Sequence, residues 1–403
     1  MINTCRSCGL KNLTQILSLG NIYLSNFYRN RRKPLRYPLT LVFCSDCSLV
    51  QLFHTTPQSM LYTDNYGYKS GINQTMRNEL KDIVTKTLQL RQGKKKNLVC
   101  VDIGANDGTL MSNYPKNYKK IAVEPVKKLA KECMQYADIV INDFFNTTSY
   151  WEKAKDTKVD IITAISCFYD IDDPNKFLSD ITHILKEDGI FVVQQNYLKS
   201  MIELNAFDNI VHEHLEYYSM ISMQNLLKNH NLEIFDVELR TLNGGSFRTY
   251  IGFKGKRKIA KSIHELVEKE KEMGLHKKNI YKNFSKNINS IKRDLHILLK
   301  KEVKNGKRIY LYGASTRGNT LLQYYDLNHK LIEKAVERNP EKWGKIIASV
   351  GIPIISDEQA RKEKPDYMLV LPWFFKEEFL KREESYLKHG GHFIFPLPRF
   401  EVI

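Results

Sequence analysis

The stretch FDNIVHEHLEYYS, Phe207 to Ser219, sets His212, Glu213 and His214 side by side. An imidazole titrates near neutral pH, so a positioned histidine can take a proton from a substrate at working pH. The spacing differs from HExxH, in which two histidines share one helical face and hold zinc. The role of this triplet therefore depends on what surrounds it. The plain alternative is that histidines in loops are surface or hydrogen-bonded core residues, with Tyr217 and Tyr218 serving as packing.

A second group of reactive side chains lies at the front. Cys5-Arg6-Ser7-Cys8 and Cys44-Ser45-Asp46-Cys47 are two CxxC pairs. Each can form a knuckle that presents two thiolates, and two knuckles complete the closed tetrahedral geometry of structural zinc. Cys5, Cys8, Cys44 and Cys47 are thus the expected zinc ligands, with a scaffold role, since a four-thiolate site leaves no open position. Leu39 to Phe43 reads as a strand feeding the second knuckle. Cys100, Cys133 and Cys167 stand singly and read as core packing.

The middle of the chain supplies a nucleoside-type site. An apolar run, Asn97 to Val101, leads into Asp102-Ile103-Gly104-Ala105-Asn106-Asp107-Gly108-Thr109-Leu110. Glycines after a first strand let backbone approach a ligand and open a helix. A second run, Lys120 to Val123, ends in Glu124, about 20 residues on, where a ribose diol is gripped. Further strands are expected at 138–141, 159–165 and 189–194, alternating with helical patterns, which predicts a doubly wound parallel sheet. The loop lacks GxGxxG and is polar and acidic, which suits a ligand without phosphates.

Beyond a lysine-rich helical connector, about 254–304, a second Rossmann-like pattern begins. Arg308 to Tyr312 is a strand, Gly313-Ala314-Ser315-Thr316-Arg317-Gly318 a turn, and a helix follows. Amides at that helix start suit a diphosphate. Gly313, Ser315, Arg317, Gly318 and, after the next strand, Arg338 are the expected contacts to a second nucleotide. A degenerate fold used only as scaffold is the alternative. The expected architecture is α/β throughout: a zinc-binding domain at 1–75, a ligand-binding domain at 76–255, and a connector with a C-terminal Rossmann-like domain at 256–403.

DIGANDGTL with a later glutamate resembles motifs I and II of the class I S-adenosylmethionine (SAM) methyltransferases. The resemblance implies that Asp102 and the loop from Gly104 through Asn106 to Gly108 hold the methionine end. It also implies that Glu124 takes the ribose hydroxyls and that Asp143 and Phe144 flank the adenine. Taken with CRSCG, CSDC, YTDNYGYKSG from Tyr62, FDNIVHEHLEYYS, LNGGSFR from Leu242 and YGASTRG, nearly the whole chain resembles the SAM-dependent C-methyltransferases of nucleotide-linked 4-keto-deoxysugars.

That family implies a reaction for the HEH stretch. A C4 ketone acidifies the hydrogens on C3 and C5, a base removes one, and donors hold the enolate oxygen. By resemblance His214 is the base, Glu213 orients or polarises the site, and Tyr66 or Tyr68 offers a hydroxyl to the sugar. His212 is assigned to structure. C3 is the expected methylated carbon, with C5 as the alternative. The chain departs from the family in one place: many members carry a tyrosine before HEH where this chain has Val211. That removes one donor to the enolate and points to a different sugar configuration or methylated carbon.

The formal charge of +17 raises a competing reading, a zinc-ribbon RNA methyltransferase. The lysines are dispersed and no RNA-binding module signature accompanies them, so no nucleic-acid partner is expected. A non-catalytic scaffold that binds SAM or a sugar nucleotide is a third reading. No membrane span or signal peptide is read from the sequence, so the expected location is the cytoplasm and the expected state a monomer.

Overall fold

The computed structural model describes residues 1–25, 27–29, 35–62, 68–91 and 97–403. The runs rich in Val, Ile and Ala form the middle of a seven-stranded sheet. Its order is Leu232–Arg240, Ser246–Phe253, Leu185–Asn196, Val159–Ile165, Val99–Ile103, Lys119–Val123 and Ile139–Ile141. The five strands from Leu185–Asn196 to Ile139–Ile141 are parallel. Ser246–Phe253 enters antiparallel between Leu185–Asn196 and Leu232–Arg240. The strand order reverses between Val99–Ile103 and Val159–Ile165, and the crevice beyond such a reversal is where doubly wound sheets bind ligands.

Two further sheets flank this one. The front sheet is antiparallel: Leu13–Tyr23, Arg36–Cys44, Val50–Leu52 and then Glu216–Tyr217, a strand from far along the chain. The rear sheet has Ile309–Tyr312 between Lys334–Val336 and Tyr367–Val370, all parallel, so it has a reversal point of its own. Its far edge is completed by Phe27–Tyr28 from the front of the chain. The connector is two helices, Lys261–Met273 and Lys278–Lys304. The second buries one face, including Phe284, Ile288, Leu295 and Leu299, in the core shared by the front and rear sheets.

Arg248, from the LNGGSFR motif, is a structural residue. Its side chain is fully buried and meets Glu79 at 2.8 Å, Asp82 at 2.9 Å and Glu238 at 2.8 Å, with Gln194 accepting from Nε at 2.7 Å. Glu79 and Asp82 lie on the helix Gln74–Leu90, so this network fastens that helix to the sheet. Removing one partner of a buried pair leaves an uncompensated charge. Arg248→Ala should therefore cost about 3–5 kcal/mol, read as a lowered unfolding midpoint, with part of the loss recovered in the double variant with Glu79→Gln.

Candidate functional site

The four cysteines come together. Their sulfurs all lie within 4.8 Å of one another, with Cys5 and Cys47 3.5 Å apart and Cys8 and Cys44 3.6 Å apart. Each knuckle closes the same way: a residue with positive φ, Gly9 (73°) or Ser48 (63°), follows the second cysteine and its amide donates to the carbonyl of the first. The Gln51 side chain donates to Cys5 Sγ at 3.0 Å.

A cavity of about 380 Å³ opens at the reversal point of the central sheet. Asp102, Gly104, Asn106, Glu124, Asp143 and Phe144 all line it, as does Tyr68. Gly108 does not, and packs instead against Tyr136 and Cys133. Glu124 accepts from the Asn106 amide and the Val126 amide, both at 2.8 Å. Asp102 accepts from the Thr163 hydroxyl at 2.6 Å. Burial pushes both carboxyls up to about 7, Glu124 against its two amide bonds and Asp102 against the Thr163 bond. Gly104 has φ +70°, and a Cβ there would come within 3.1 Å of Cys167 Sγ, so the loop needs glycine at this position. The Asn106 side chain ties down the described end of the YTDNYGYKSG stretch, accepting from the Ser70 amide at 2.9 Å and donating to the Tyr68 carbonyl at 3.2 Å. Tyr66 lies outside the described residues.

His212, Glu213 and His214 do not line this cavity; Asp170 does, and its neighbour Tyr169 touches His214. The Tyr169 ring packs 4.2 Å from that of His214, and Asp170, which lines the cavity, accepts from Tyr62 at 2.8 Å. Its other oxygen is buried without a partner. Burial drives the Asp170 carboxyl well above the usual carboxylate range, and burial raises Glu213. His214 Nδ1 lies 2.9 Å from the Asn209 carbonyl. A carbonyl only accepts, so Nδ1 carries the proton and Nε2 the lone pair. Burial first, then the charge of Arg317, push His214 down to about 3. His212 is buried, its Nε2 3.2 Å from the Tyr37 carbonyl, and burial pushes it down to about 4.

Backbone ties set the orientation of this stretch. Glu216 pairs with Gln51 and Tyr217 with Val50, the Leu52 amide donates to the Leu215 carbonyl, and the Leu215 amide to the Tyr169 carbonyl. The front sheet therefore holds one side of the histidine segment, and the turn Phe168–Asp170 after the central strand Val159–Ile165 the other.

The rear crevice is differently furnished. Ser315 caps the helix Thr316–Tyr324 and accepts from the Gly318 amide at 3.0 Å. Gly313 donates to the Val336 carbonyl, and Gly318 packs on Leu371. Arg338 is exposed. Arg317 reaches out of this group to Asp208, 2.8 Å away, in the segment that precedes HEH.

Three family models match along the chain. Residues 5–62 match one described as "Putative zinc binding domain", residues 72–237 "Methyltransferase domain", and residues 241–398 "C-methyltransferase C-terminal domain". Over its full length the chain is similar to C-methyltransferase NovU of Streptomyces niveus, at 28% identity over 413 residues, 100% of this chain and 97% of that protein. Together the three models and this full-length likeness support a SAM-dependent C-methyltransferase.

Among solved structures, the chain is similar to a SAM-dependent methyltransferase from Clostridium acetobutylicum, at 13% identity and a TM-score of 0.34, over 44% of this chain and 92% of that one. It is also similar to the plantazolicin methyltransferase BamL, solved with S-adenosylhomocysteine and a triazolic desmethylPZN analog. That likeness is at 12% identity and a TM-score of 0.35, over 44% of this chain and 85% of BamL.

The cofactors of this C-methyltransferase are SAM and structural zinc, and the donor sets fit both. Without an ion the four thiols could not all ionise: burial pushes Cys44 up to about 12, and Cys47 rises too, first through its bond to Cys5. A divalent cation reverses that balance. The acidic, largely apolar cavity matches a cationic sulfonium that bears a nucleoside. Tyr62, Tyr169, Asp170 and Asp208 were not singled out in the sequence. A run such as FYDIDD carries no signal of its own until the sheet brings it beside HEH. Among the described residues no helix is long and apolar enough to cross a membrane.

Two outcomes test this description. Metal analysis should find near one zinc per chain, and chelation should speed amide exchange at Leu52 and Leu215 while Val159–Ile165 stays protected, because metal binding here is folding free energy. Unchanged protection at both amides would show that the front sheet holds without the ion. The second concerns pH. A carboxyl raised in the folded state stabilises the fold below its unfolded value, and that contribution is lost as pH rises through about 7. The ligand-free melting temperature should therefore fall between about pH 5 and 8, and fall less in Asp102→Asn. An equal fall in the variant would show Asp102 ionised throughout.

Proposed function

We propose that this C-methyltransferase acts on a nucleotide-linked 4-keto-6-deoxysugar, removing a proton beside the ketone and methylating that carbon. C3 is the reading kept, for the biosynthesis of a branched-chain deoxysugar. The observation that carries it is the state of His214: held at Nδ1 by a fixed carbonyl and neutral, with no hydrogen bond to Nε2 among the described residues. Such a ring is free of its second proton at working pH, so Nε2 can accept one from a carbon placed against it. Asp170 and Glu213, pushed toward their protonated forms by burial, supply donors of the kind an enolate oxygen needs.

In this reading His214 Nε2 takes the proton from the sugar carbon. Glu213 polarises the ketone, and Tyr68 or Tyr66 offers a hydroxyl to the sugar. Asp102, Gly104 and Asn106, with Gly108 shaping the loop, hold the methionine end; Glu124 the ribose; Asp143 and Phe144 the adenine. SAM, when bound, supplies the methyl group. Gly313, Ser315, Arg317, Gly318 and Arg338 are read as the nucleotide-facing group, within working units of 1–75, 76–255 and 256–403. The second reading, methylation at C5, is favoured by one observation. Val211 puts an apolar, buried side chain where relatives of the resemblance carry a hydroxyl donor.

The test separates deprotonation from methyl transfer. Protein, S-adenosylhomocysteine and each of dTDP-, GDP-, CDP- and UDP-linked 4-keto-6-deoxysugars are incubated in deuterium oxide, and mass spectrometry and NMR read which carbon exchanges above the enzyme-free background. One nucleotide should give exchange, at C3. His214→Asn should lose exchange and methylation by about a hundredfold or more while still binding both ligands. His212→Asn should be milder. Normal activity in both variants would end the HEH reading, and exchange at C5 alone would replace C3.

A further inference from the structure

Arg317 begins in one part of the fold and ends in another. It lies in the first turn of the helix Thr316–Tyr324, yet its guanidinium donates to the Asn243 carbonyl at 2.6 Å and to Asp208 Oδ2 at 2.8 Å. Trp373 Nε1 donates to the same carboxylate oxygen at 3.2 Å, and the Phe374 ring lies 4.9 Å beneath the guanidinium. Asp208 is 1% exposed. Gly244, at φ +82°, lets the 242–245 turn close over the pair: a Cβ there would meet Trp373 at 2.9 Å.

A buried ion pair of this kind is a poor device for stability alone, because desolvating two charges offsets most of their attraction. This pair is also imperfectly satisfied: Arg317 Nε and Asp208 Oδ1 are both buried with no hydrogen-bond partner among the described residues. What it does hold is the one-turn helix Phe207–Asn209. The residue after Asp208 is Asn209, whose carbonyl faces His214 Nδ1 and also accepts from Tyr217 at 3.4 Å. Asn209 Oδ1 accepts in turn from Asn196 at the end of a central strand.

We propose that Arg317 is a positioning residue for the reaction: pinned to Asp208 from the rear domain, it fixes the turn whose Asn209 carbonyl orients His214. The inference rests on His214 being the base. It assigns to Arg317 work on the protein's own catalytic segment, in addition to any contact with substrate.

The charge of Arg317 acts in the same direction as its geometry. The groups shown to act on His214 are the Tyr169 ring, from the turn after the central strand Val159–Ile165, the Asn209 carbonyl from the preceding turn, and the charge of Arg317; the carboxyls nearest along the chain and in that turn are Glu213, Glu216 and Asp170. Burial raises Asp170, Glu213 and Glu216 toward their uncharged forms, so none of them supplies an anion to favour imidazolium. After burial itself, Arg317 is the next cause that holds the ring neutral.

The test uses the full-length zinc-loaded protein at saturating S-adenosylhomocysteine. The reading is deuterium exchange into whichever 4-keto sugar nucleotide the parent accepts, followed against pH. In the parent, the limb on the acid side should lie well below the free-histidine value of about 6.5. Arg317→Gln should lose roughly a hundredfold in the maximal exchange rate, with little change in KM, and its limb should move up toward the free-histidine value. Arg317→Lys, which keeps the charge, should keep the limb and recover part of the rate.

An unchanged rate and limb in Arg317→Gln overturns the proposal. So does a loss confined to KM, which would make Arg317 a substrate contact only. Should Arg317→Gln fail to fold, Trp373→Phe removes one of the two donors on Asp208 Oδ2. It must slow exchange several-fold at unchanged KM, and no slowing overturns the proposal. His214→Asn run alongside separates the two failures. An inert His214→Asn with a normal Arg317→Gln defeats only this inference, whereas an active His214→Asn defeats the reading of the base itself.

Discussion

The ladder between Glu216–Tyr217 and Val50–Leu52 is the constraint on which the site depends. The stretch that carries His212, Glu213 and His214 has no helix or strand of its own, and a buried segment without regular structure must find partners for its amides and carbonyls elsewhere. It finds them on several sides: the front sheet through Leu52 and Leu215, the turn after the central strand Val159–Ile165 through Tyr169, and its own preceding turn through Asn209. The zinc knuckle at Cys44 and Cys47 is the turn that returns the chain into Val50–Leu52, and Gln51 in that strand donates to Cys5 Sγ. The knuckle that would hold the zinc thus leads directly into the strand that pairs beside the histidine segment.

Burial gives this site its electrostatic character. In water, at neutral pH, histidine is partly charged and carboxyls fully so. Here burial pushes His212 down to about 4 and His214 to about 3, and it raises Asp170, Glu213 and Glu216. Each group moves toward its neutral form. The result sets an imidazole shifted toward its neutral, proton-accepting form near carboxyls shifted toward their protonated, donating form. Environments that drive titratable groups apart in this way mark acid–base sites. Arg6 adds a counterweight below the stretch, 3.0 Å from Asp172 and 3.6 Å from Glu216, which ties the first knuckle to the same cluster.

Much of this was legible in the sequence because it is local. The two CxxC pairs, the strand–loop–acid order of Asp102 to Glu124, and the parallel strands each announce themselves within a few residues, and all six predicted cofactor residues other than Gly108 line one cavity. What was not legible depends on distant pairing. The strand Glu216–Tyr217 is two residues long and takes its identity from Val50. Phe27–Tyr28 completes a sheet whose other strands lie some 300 residues on. The antiparallel pair Leu232–Arg240 and Ser246–Phe253 alternates too weakly to declare its sheet, and Arg248, known from the sequence only as part of a stretch shared with the family, donates to Gln194, Glu79, Asp82, Glu238 and Tyr250. Arg317 belongs to the same class, since no local pattern says that a residue in a glycine turn will reach Asp208.

The two doubly wound sheets use one device for different ends. In each, an acid at the end of the second strand accepts an amide from the loop after the first: Glu124 from Asn106 at 2.8 Å, and Glu337 from Ala314 at 3.2 Å. In the central sheet this fixes the loop and leaves a cavity open above it. In the rear sheet the amides are already partly satisfied, Ala314 by Glu337 and Gly318 by Ser315, and Lys342 donates to the Ala314 carbonyl at 2.7 Å. The cation of that turn, Arg317, is committed to Asp208. Through Arg317 the rear crevice is tied to Asp208, in the turn whose Asn209 carbonyl meets His214 Nδ1.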